Sequence, residues 1–447
     1  MEGEVIRNLT IIDAAHDGAG IGRHEGMVVF VPMALKGDVI TCRITKREKR
    51  SVRAELVAIQ SPSPDRIEPQ CPHFYDCGGC TYQTLSYAAE AKLKEDRVKN
   101  TLMRIGGAEE GVLNPILFAD ESDGYRNNVQ LAIGAEEDGP KLGCRARGSH
   151  RVIHTPHCRL MPSVMRPVYH AFYEYLCQYH GELCTKKGHQ LRHLCLRTAQ
   201  SGLMATVVGY PPALPHAQEL ASALKQAGAV TLCYHQNTKP GGSVFGPGPM
   251  KTIYGDGYLT DTLCDLSFRI SPKSFYQVNH AQAQRLYDEG RRYAALGPGE
   301  TLIDLYCGTG TIGLILTSTG GKLIGVELSP SAVCDARANA QRSGRPDAVF
   351  YEGDAGTVAK ELLKEGITAD VLVVDPPRKG CDDVAIRTIA AFSPKRIVYI
   401  SCDCATLARD AAKLKELGYV LKKATAVDLF PRTPHCEVVS LLVKATE

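Results

Sequence analysis

The stretch Asp304-Leu-Tyr-Cys-Gly-Thr-Gly-Thr-Ile-Gly313 decides the fold of the C-terminal part of this chain. It follows an apolar run of strand length and leads into a helical segment. Its three glycines permit a tight turn and let the backbone approach a ligand closely. Strand, glycine turn and helix in this order are typical of the first unit of a doubly wound α/β sheet.

The same alternation continues to the C-terminus and differs from what precedes it. The short β-rich runs after the first are KLIGVEL, DAVFYEGD, DVLVVDPP and RIVYISC. They alternate with helical segments and predict a Rossmann-like domain over residues 271–447. Residues 1–60 alternate apolar and polar residues between glycine-rich turns, which predicts a small OB-like β-barrel. Residues 61–270 mix strand-like runs with predicted helices at Ser86–Ile105 and Ala217–Ala227, so we expect a central α+β domain.

Acidic residues stand at the ends of consecutive predicted strands, where open α/β sheets bind ligands. Asp304 would repel a pyrophosphate at the helix N-terminus but suits a cationic cofactor that carries an amine. Glu327 could accept hydrogen bonds from both ribose hydroxyls, and Asp354 is placed to contact an adenine amine. A nicotinamide dinucleotide is the rival ligand, but Asp304 favours S-adenosylmethionine.

Composition excludes several classes of protein. The 447 residues are 44% hydrophobic and 23% charged, as expected for a soluble globular chain. No run of eighteen apolar residues and no signal peptide occur, so we predict a cytoplasmic protein without membrane association. The net charge is only +3. Six basic residues between Arg43 and Arg53 could hold phosphates, although a solvated strand face explains them equally well.

The 17 cysteines include a tight group, Cys71, Cys77 and Cys80. Three close thiols and one distant thiol can supply the four ligands of a [4Fe–4S] cluster. Zinc also accepts four cysteines, normally as two CxxC-like pairs, whereas only Cys77 and Cys80 form such a pair here. The spacing therefore favours an iron–sulfur cluster, with Cys144 and Cys158 as candidates for the fourth ligand.

Four further motifs carry a resemblance to a known family. They are SFYQVN (274–279), DPPRKG (375–380), SCDCATLARD (401–410) and FPRTPHCE (430–437). Together with the glycine loop and Gly325-Val-Glu327, they resemble the RNA 5-methyluridine (uracil-C5) methyltransferase family in order and spacing. The resemblance extends over essentially the whole chain, and residues 1–60 resemble the TRAM domain of that family.

The resemblance implies S-adenosylmethionine as methyl donor and RNA as substrate, with 23S rRNA first and transfer RNA second. It assigns Cys402 as the nucleophile that attacks carbon 6 of uracil and Glu437 as the base that removes the carbon-5 proton. It also selects Cys158 over Cys144 as fourth ligand of the cluster. The cofactor contacts that it implies are Gln277, Tyr306, Thr311, Glu327, Asp354 and Asp375. We expect a monomer without an obligate protein partner.

One departure and two rival functions accompany this interpretation. The family usually has proline two residues after the nucleophile, and this chain has Cys404. An RNA 5-methylcytidine methyltransferase would also use a cysteine at the Asp-Pro-Pro strand, and Cys381 lies near that strand but off the motif. A non-catalytic RNA-binding iron–sulfur protein is the rival from another class.

Overall fold

A computed structural model describes residues 3–137, 139–185, 188–189, 191–239 and 242–445. The N-terminal segment forms a closed five-stranded barrel in the order β1-β2-β3-β5-β4. Its alternating side chains fill the barrel interior with aliphatic residues such as Ile6, Val29 and Ile40, because successive residues of a strand point to opposite faces. The strands are β1 (Val5–Ala14), β2 (Gly20–His24), β3 (Met27–Val31), β4 (Val39–Arg47) and β5 (Ser51–Ser61).

A seven-stranded, mostly antiparallel sheet forms the centre of the molecule, in the order β15-β14-β13-β12-β7-β8-β9. One face of this sheet packs on helices α2 and α4. Its strands are β7 (Asn128–Glu136), β8 (Gly139–Arg145), β9 (Val152–His154), β12 (Leu191–Ala199), β13 (Gly202–Gly209), β14 (Ala229–Gln236) and β15 (Met250–Tyr254). The helices are α2 (Arg166–Gln178) and α4 (Ala217–Gln226). The helix predicted at Ala217–Ala227 is thus confirmed.

Smaller elements complete this part of the chain. A two-stranded ribbon pairs β16 with β17, and another pairs β10 with β11. Their bounds, with those of the short helix α3, are β10 (Cys184–Thr185), β11 (Gly188–His189), β16 (Leu259–Leu263), β17 (Leu266–Ile270) and α3 (His180–Leu183). A single 3-10 turn spans Ser163–Met165.

The C-terminal part forms an eight-stranded sheet in the order β20-β19-β18-β21-β22-β24-β23-β6. The strands from β20 to β22 are parallel, and β24 runs antiparallel between β22 and β23. Helices cover both faces, as expected for a doubly wound sheet. The strands are β18 (Thr301–Leu305), β19 (Lys322–Glu327), β20 (Val349–Glu352), β21 (Val371–Val374), β22 (Arg396–Ser401), β23 (Tyr419–Val427) and β24 (Glu437–Lys444). The helices are α5 (His280–Ala294), α6 (Thr311–Leu316), α7 (Pro330–Arg342), α8 (Ala355–Lys364), α9 (Asp383–Ala391) and α10 (Cys404–Glu416).

Two elements assigned by sequence to the central domain, a strand and a helix, contact the C-terminal sheet or the helices that cover it. Strand β6 (Leu113–Leu117) pairs in parallel with β23 at the sheet edge. Helix α1 (Tyr87–Arg104) packs on α10 and is capped by Ser86, whose hydroxyl accepts a hydrogen bond from the Ala89 amide. The helix is the predicted one. The division of the chain at residues 60 and 270 stays a prediction. None of the described helices combines the length and apolarity needed to cross a bilayer.

Candidate active site

Strand register brings Cys402 and Glu437 to one edge of the C-terminal sheet. In the antiparallel pairing of β22 with β24, Ile400 lies opposite Val439 and Ser401 opposite Val438. Cys402 and Glu437 directly adjoin this last pair on the two strands, and the Glu437 carboxylate acts on the pKa of the Cys402 thiol, so the two side chains are neighbours. Cys402 is half-buried after the end of β22, whereas Glu437 is buried as the first residue of β24.

Three charged groups surround the Cys402 thiol. Burial and the carboxylates of Glu437 and Asp375 raise the pKa of this thiol to about 11, and the Arg378 guanidinium opposes them. The pKa of Glu437 is raised well above its usual range by burial and then by Asp375, while Arg378 lowers it. Burial also raises the pKa of Asp375. Two adjacent buried carboxyls retain a proton at higher pH than either would alone.

The loop that carries Asp375 and Arg378 is held by the end of the SCDCATLARD motif. The Cys381 amide donates to Asp410 over 2.8 Å, and Arg409 donates to the Lys379 carbonyl over 2.9 Å. Gly380 has φ 72, and a Cβ there would lie 2.5 Å from the side chains of both Arg409 and Asp410. The end of this motif therefore positions the Asp-Pro-Pro loop.

The glycine loop after β18 surrounds a buried carboxylate. The Gly313 amide donates to Asp304 Oδ2 over 2.9 Å, and a Cβ at Gly313 would lie 2.9 Å from that oxygen. Asp304 Oδ1 is buried and has no hydrogen-bond partner among the described residues. Burial raises the pKa of Asp304 well above its usual range, and Asp375 and Glu327 raise it further. A cationic, amine-bearing ligand would satisfy this oxygen and offset the local negative charge.

The other predicted cofactor contacts lie at the same edge of the sheet. The Glu327 carboxylate accepts from the amides of Gly308 over 3.1 Å and Ser329 over 2.8 Å, so its orientation is fixed. Tyr306 follows β18 with φ 69. Thr311 begins α6, and its hydroxyl lies 3.1 Å from that of Thr309.

Asp354 has a structural role that the sequence interpretation did not include. It is exposed and caps α8, because its Oδ1 accepts from both the amide and the hydroxyl of Thr357 over 3.0 Å each. This is the ordinary behaviour of aspartate at a helix N-cap. The carboxylate can still accept further hydrogen bonds, and its contact with an adenine amine stays a prediction.

The SFYQVN motif contains one exposed aromatic residue, and the two residues that follow it are buried. Phe275 is 68% exposed, whereas Tyr276 is buried and donates to Asp261 over 2.9 Å. Gln277 is also buried, and its side chain bonds to the buried Tyr287, which lies near Asp375 and Glu437. Of the two aromatic residues, only Phe275 is available to stack on a base.

Sequence reasoning missed the charged network that holds the loop before Glu437. Lys94 of α1 is 1% exposed, and its ammonium lies 2.7 Å from Glu90 and 2.7 Å from Asp428. It also donates to the Phe430 carbonyl over 3.2 Å. Glu90 accepts in turn from the Arg432 amide over 2.8 Å. The only signal in the sequence was an i,i+4 Glu–Lys pair, which normally lies on a helix surface.

Comparison with known proteins identifies two matching family models and similar relatives. A family model described as tRNA (Uracil-5-)-methyltransferase matches residues 360–445, and a TRAM domain model matches residues 1–57. An RNA methyltransferase of Halalkalibacterium halodurans is 37% identical over 442 residues, covering 97% of this chain and 96% of the relative. One of Clostridium tetani is 35% identical over 441 residues, covering 97% and 95%.

The chain belongs to the RNA uracil-C5 methyltransferase family. It is accordingly an S-adenosylmethionine-dependent RNA methyltransferase with an N-terminal TRAM domain. The crystal structure of Pyrococcus abyssi tRNA (uracil-54, C5)-methyltransferase with S-adenosyl-L-homocysteine superposes with a TM-score of 0.78 at 26% identity. The match covers 98% of this chain and all of that one. The predicted methyltransferase fold and barrel are thus confirmed, and the 5-methylcytidine alternative falls outside this family.

The cysteine group of this methyltransferase lines a cavity of about 310 Å³ in the central part of the molecule. Arg147 holds the loop that contains three of these thiols by donating to the carbonyls of Cys77 over 3.1 Å and Cys80 over 2.9 Å. The thiols that line the cavity are Cys71, Cys77, Cys80, Cys144 and Cys158. Within the described ranges, no three His, Cys, Asp or Glu side chains form a group that could hold a metal ion. The iron–sulfur cluster therefore stays a prediction.

Proposed function

We propose that this methyltransferase transfers a methyl group to carbon 5 of a uridine through a covalent adduct between Cys402 and carbon 6. The observation that carries the proposal is the register of β22 and β24, which ends with Ser401 opposite Val438 and leaves Cys402 and Glu437 as the adjoining residues of the two strands. A nucleophile and a base on neighbouring residues can act on adjacent carbons of one ring. The charges of Asp375 and Arg378 both act on the Cys402 thiol, and we propose that Asp375 hydrogen-bonds to the edge of the same base.

The proposed reaction has three steps. The Cys402 thiolate adds to carbon 6, and the displaced π electrons form an enolate on the uracil ring. Carbon 5 of the enolate would then take the methyl group of S-adenosylmethionine; the carbon–sulfur bond breaks, its electron pair stays on sulfur, and S-adenosylhomocysteine leaves. Glu437 removes the carbon-5 proton, and the electron pair left behind restores the ring double bond and expels the thiolate. The raised pKa of Glu437 makes its carboxylate a stronger base than an exposed glutamate.

The free enzyme holds Cys402 mainly as a thiol, because a pKa of about 11 lies far above neutral pH. Cys402 precedes α10 by two residues, and a helix N-terminus favours a nearby anion. A cationic sulfonium bound at the strand ends would favour the thiolate further. We propose that cofactor binding thereby activates the nucleophile.

The residues proposed to bind the cofactor surround the glycine loop. Asp304 would accept from its amine, Glu327 from its ribose hydroxyls, and Asp354 from its adenine. Gln277, Tyr306, Thr311 and Asp375 would complete the site. The unpartnered Oδ1 of Asp304 and the fixed carboxylate of Glu327 support this arrangement.

We propose further that Cys71, Cys77, Cys80 and Cys158 hold a [4Fe–4S] cluster. Each cysteine of such a cluster binds a different iron atom, so its sulfurs lie further apart than the ligands of one ion. The observation that supports the proposal is that these four thiols, together with Cys144, line one cavity. Cys144 bonds to both Cys77 and Cys158 and is the competing ligand. Iron and sulfide content should fall in Cys158→Ser and persist in Cys144→Ser.

The proposed substrate is 23S rRNA, with transfer RNA as the second candidate. The resemblance of the cysteine group to cluster-bearing family members supports 23S rRNA. The likeness to the Pyrococcus abyssi enzyme, whose substrate is position 54 of transfer RNA, favours the second candidate. Both RNAs therefore belong in the experiment that tests the reaction.

The test is covalent trapping with RNA that contains 5-fluorouridine, in the presence of S-adenosylmethionine. Fluorine at carbon 5 cannot leave as a proton, so the adduct should accumulate and mass spectrometry should locate it on Cys402. Cys404→Ala is the matched control, since it removes the neighbouring thiol and should retain the adduct, whereas Cys402→Ala should lose it. Absence of an adduct with both RNAs would refute the mechanism.

A further inference from the structure

A groove of about 690 Å³ lies on the central sheet, away from the strand-end edge that holds Cys402. Strands β7, β8 and β12 form its floor. Four long cationic side chains line it, Lys141, Arg145, Arg151 and Arg192. Glu136 is the acidic side chain that lines it among the described residues, and it lies 4.0 Å from Arg151. The groove is therefore strongly basic.

The groove has one buried polar atom without a partner. His193 lines the groove and is 6% exposed, and its Nδ1 makes no hydrogen bond among the described residues. Burial and the nearby Arg192 and Arg145 lower the pKa of His193 to about 4, so the ring is neutral. A neutral imidazole nitrogen can bond to a ribose hydroxyl or a base edge. His193 is therefore a candidate contact for a polar ligand in the groove.

The wall of the groove also contains an aromatic residue. The Arg192 guanidinium lies 5.3 Å from the centroid of the Tyr210 ring, and both side chains line the cavity. An arginine beside an aromatic ring is a common combination where proteins contact bases and phosphates together. The lining of the groove therefore includes cations, a polar nitrogen and a stacking surface.

Strand register connects the groove to the active site. His193 lies opposite Ala132, and Arg197 lies opposite Asn128, with Cys195 and Gln130 between these pairs. These side chains share one face of the sheet because alternate residues of a strand point the same way. Arg197 donates to the carbonyl of Ser274, at the start of the SFYQVN motif, over 2.9 Å. The groove therefore begins about 13 Å along β12 from Arg197, the residue that contacts this motif, and a few nucleotides can span such a distance.

The basic cluster of the barrel is a weaker candidate for the same role. Arg43 lies 2.9 Å from Glu55, Lys46 lies 3.2 Å from Glu48, and Arg47 lies 3.5 Å from Glu4. These acids offset much of the positive charge that the sequence shows. The groove on the central sheet has the larger excess of cations.

We infer that this groove binds the phosphodiester backbone of the RNA strand that continues from the uridine in the active site. The inference rests on the proposed function, since it names where the substrate of that site extends. Lys141, Arg145, Arg151 and Arg192 contact phosphates, His193 bonds to a ribose or base, and Tyr210 stacks on a base.

The test measures binding of a 20-nucleotide oligouridylate at several salt concentrations, without S-adenosylmethionine. Each phosphate contact on a single strand contributes about 0.7 to the slope of log affinity against log salt. Arg151→Gln/Arg192→Gln should therefore lower the slope by about 1.4 and weaken binding about 25-fold at about 0.1 M salt. The single variant Arg151→Gln alters only an exposed side chain and should lower the slope by about 0.7.

The matched control is Arg166→Gln/Lys225→Gln, which removes the same charge from exposed positions on the helices that cover the other face of the sheet. It should bind as the wild type does. The inference is overturned if the groove variants keep the wild-type slope, if the control loses as much, or if the wild type does not bind the probe. The binding assay needs no methyl transfer. If the groove variants bind more weakly but no adduct forms at Cys402, only the proposed reaction is refuted.

Discussion

Replacing Lys94 with methionine tests how the loop before Glu437 is held. Lys94 is 1% exposed, and both of its carboxylate partners, Glu90 and Asp428, have fully buried side chains. Arg432 lies 3.7 Å from Glu90 and is the second cation of the group. The four charges sum to zero, so Lys94→Met leaves an excess negative charge in a buried site.

The expected loss of stability is large. Removing one partner of a buried charge pair costs about 3–5 kcal/mol, since the remaining charge is left without compensation. For a cooperative unit of 150–250 residues, each kcal/mol lowers Tm by about 2–4 °C. Thermal unfolding followed by circular dichroism should therefore show a fall of roughly 6–20 °C at pH 7.

The loss of stability caused by Lys94→Met should also depend on pH. Burial raises the pKa of Glu90, so the folded protein binds more protons than the unfolded chain between the two pKa values. Stability contributed by this group consequently falls as pH rises through that window. Loss of Lys94 raises the pKa of Glu90 further, because Lys94 lowers it in the wild type. The difference between variant and wild type should hence shrink as the pH is lowered from 7 towards 5.

The matched control is Lys94→Met/Asp428→Asn, which removes one negative charge with the positive one. Glu90 is then balanced by Arg432, and the double variant should recover more than half of the lost stability. A Tm within 2 °C of the wild type for Lys94→Met, or a double variant no more stable than the single one, would refute this account of the network.

Three further predictions concern catalysis and binding. Glu437→Gln lacks the proposed base, so turnover should fall about 100-fold or more. Mass spectrometry should then detect an adduct with unmodified uridine RNA. Turnover within about tenfold of the wild type would contradict the assignment of Glu437 as the base. The rate of alkylation of Cys402 by iodoacetamide should rise about tenfold per pH unit from pH 7 to 10, since the pKa of this thiol is about 11. The exposed Cys334 is the internal control. A rate for Cys402 that reaches a plateau below pH 9 would contradict that pKa. Phe275→Ala should weaken binding of the oligouridylate by about 1–3 kcal/mol through lost stacking, whereas Phe118→Ala, which removes another exposed ring, should not.

Local sequence patterns were sufficient for much of the fold. The alternation of strand, glycine turn and helix predicted the parallel part of the C-terminal sheet, and period-2 patterning predicted the barrel. Helix α1 begins where Ser86 can cap it. Such features depend on neighbouring residues, which is why a single sequence reveals them.

Features that depend on distant partners could not be predicted in this way. Strand β6 joins the sheet edge through pairing with β23, about 300 residues later, and nothing in Leu113–Leu117 indicates that partner. Glu90 and Lys94 have the spacing of an ordinary surface pair, and only the approach of Asp428 explains their burial. Asp354 shows the reverse case, since a predicted ligand contact also serves as a helix cap.

The site formed by Cys402 and Glu437 depends both on local sequence motifs and on pairing between distant strands. Their motifs are visible in the sequence, but they lie 35 residues apart and their juxtaposition depends on β24 entering the sheet antiparallel beside β22. The turn into β24 is fixed in turn by Lys94 and Arg432, through the bonds of Lys94 to Asp428 and Phe430 and of Arg432 to Glu90. The cysteine loop contacts the same turn, because the Thr81 amide donates to the Arg432 carbonyl over 2.8 Å. The position of the proposed base therefore depends on residues from three separate segments of the chain, and a change in any of them should alter catalysis without contacting the uridine.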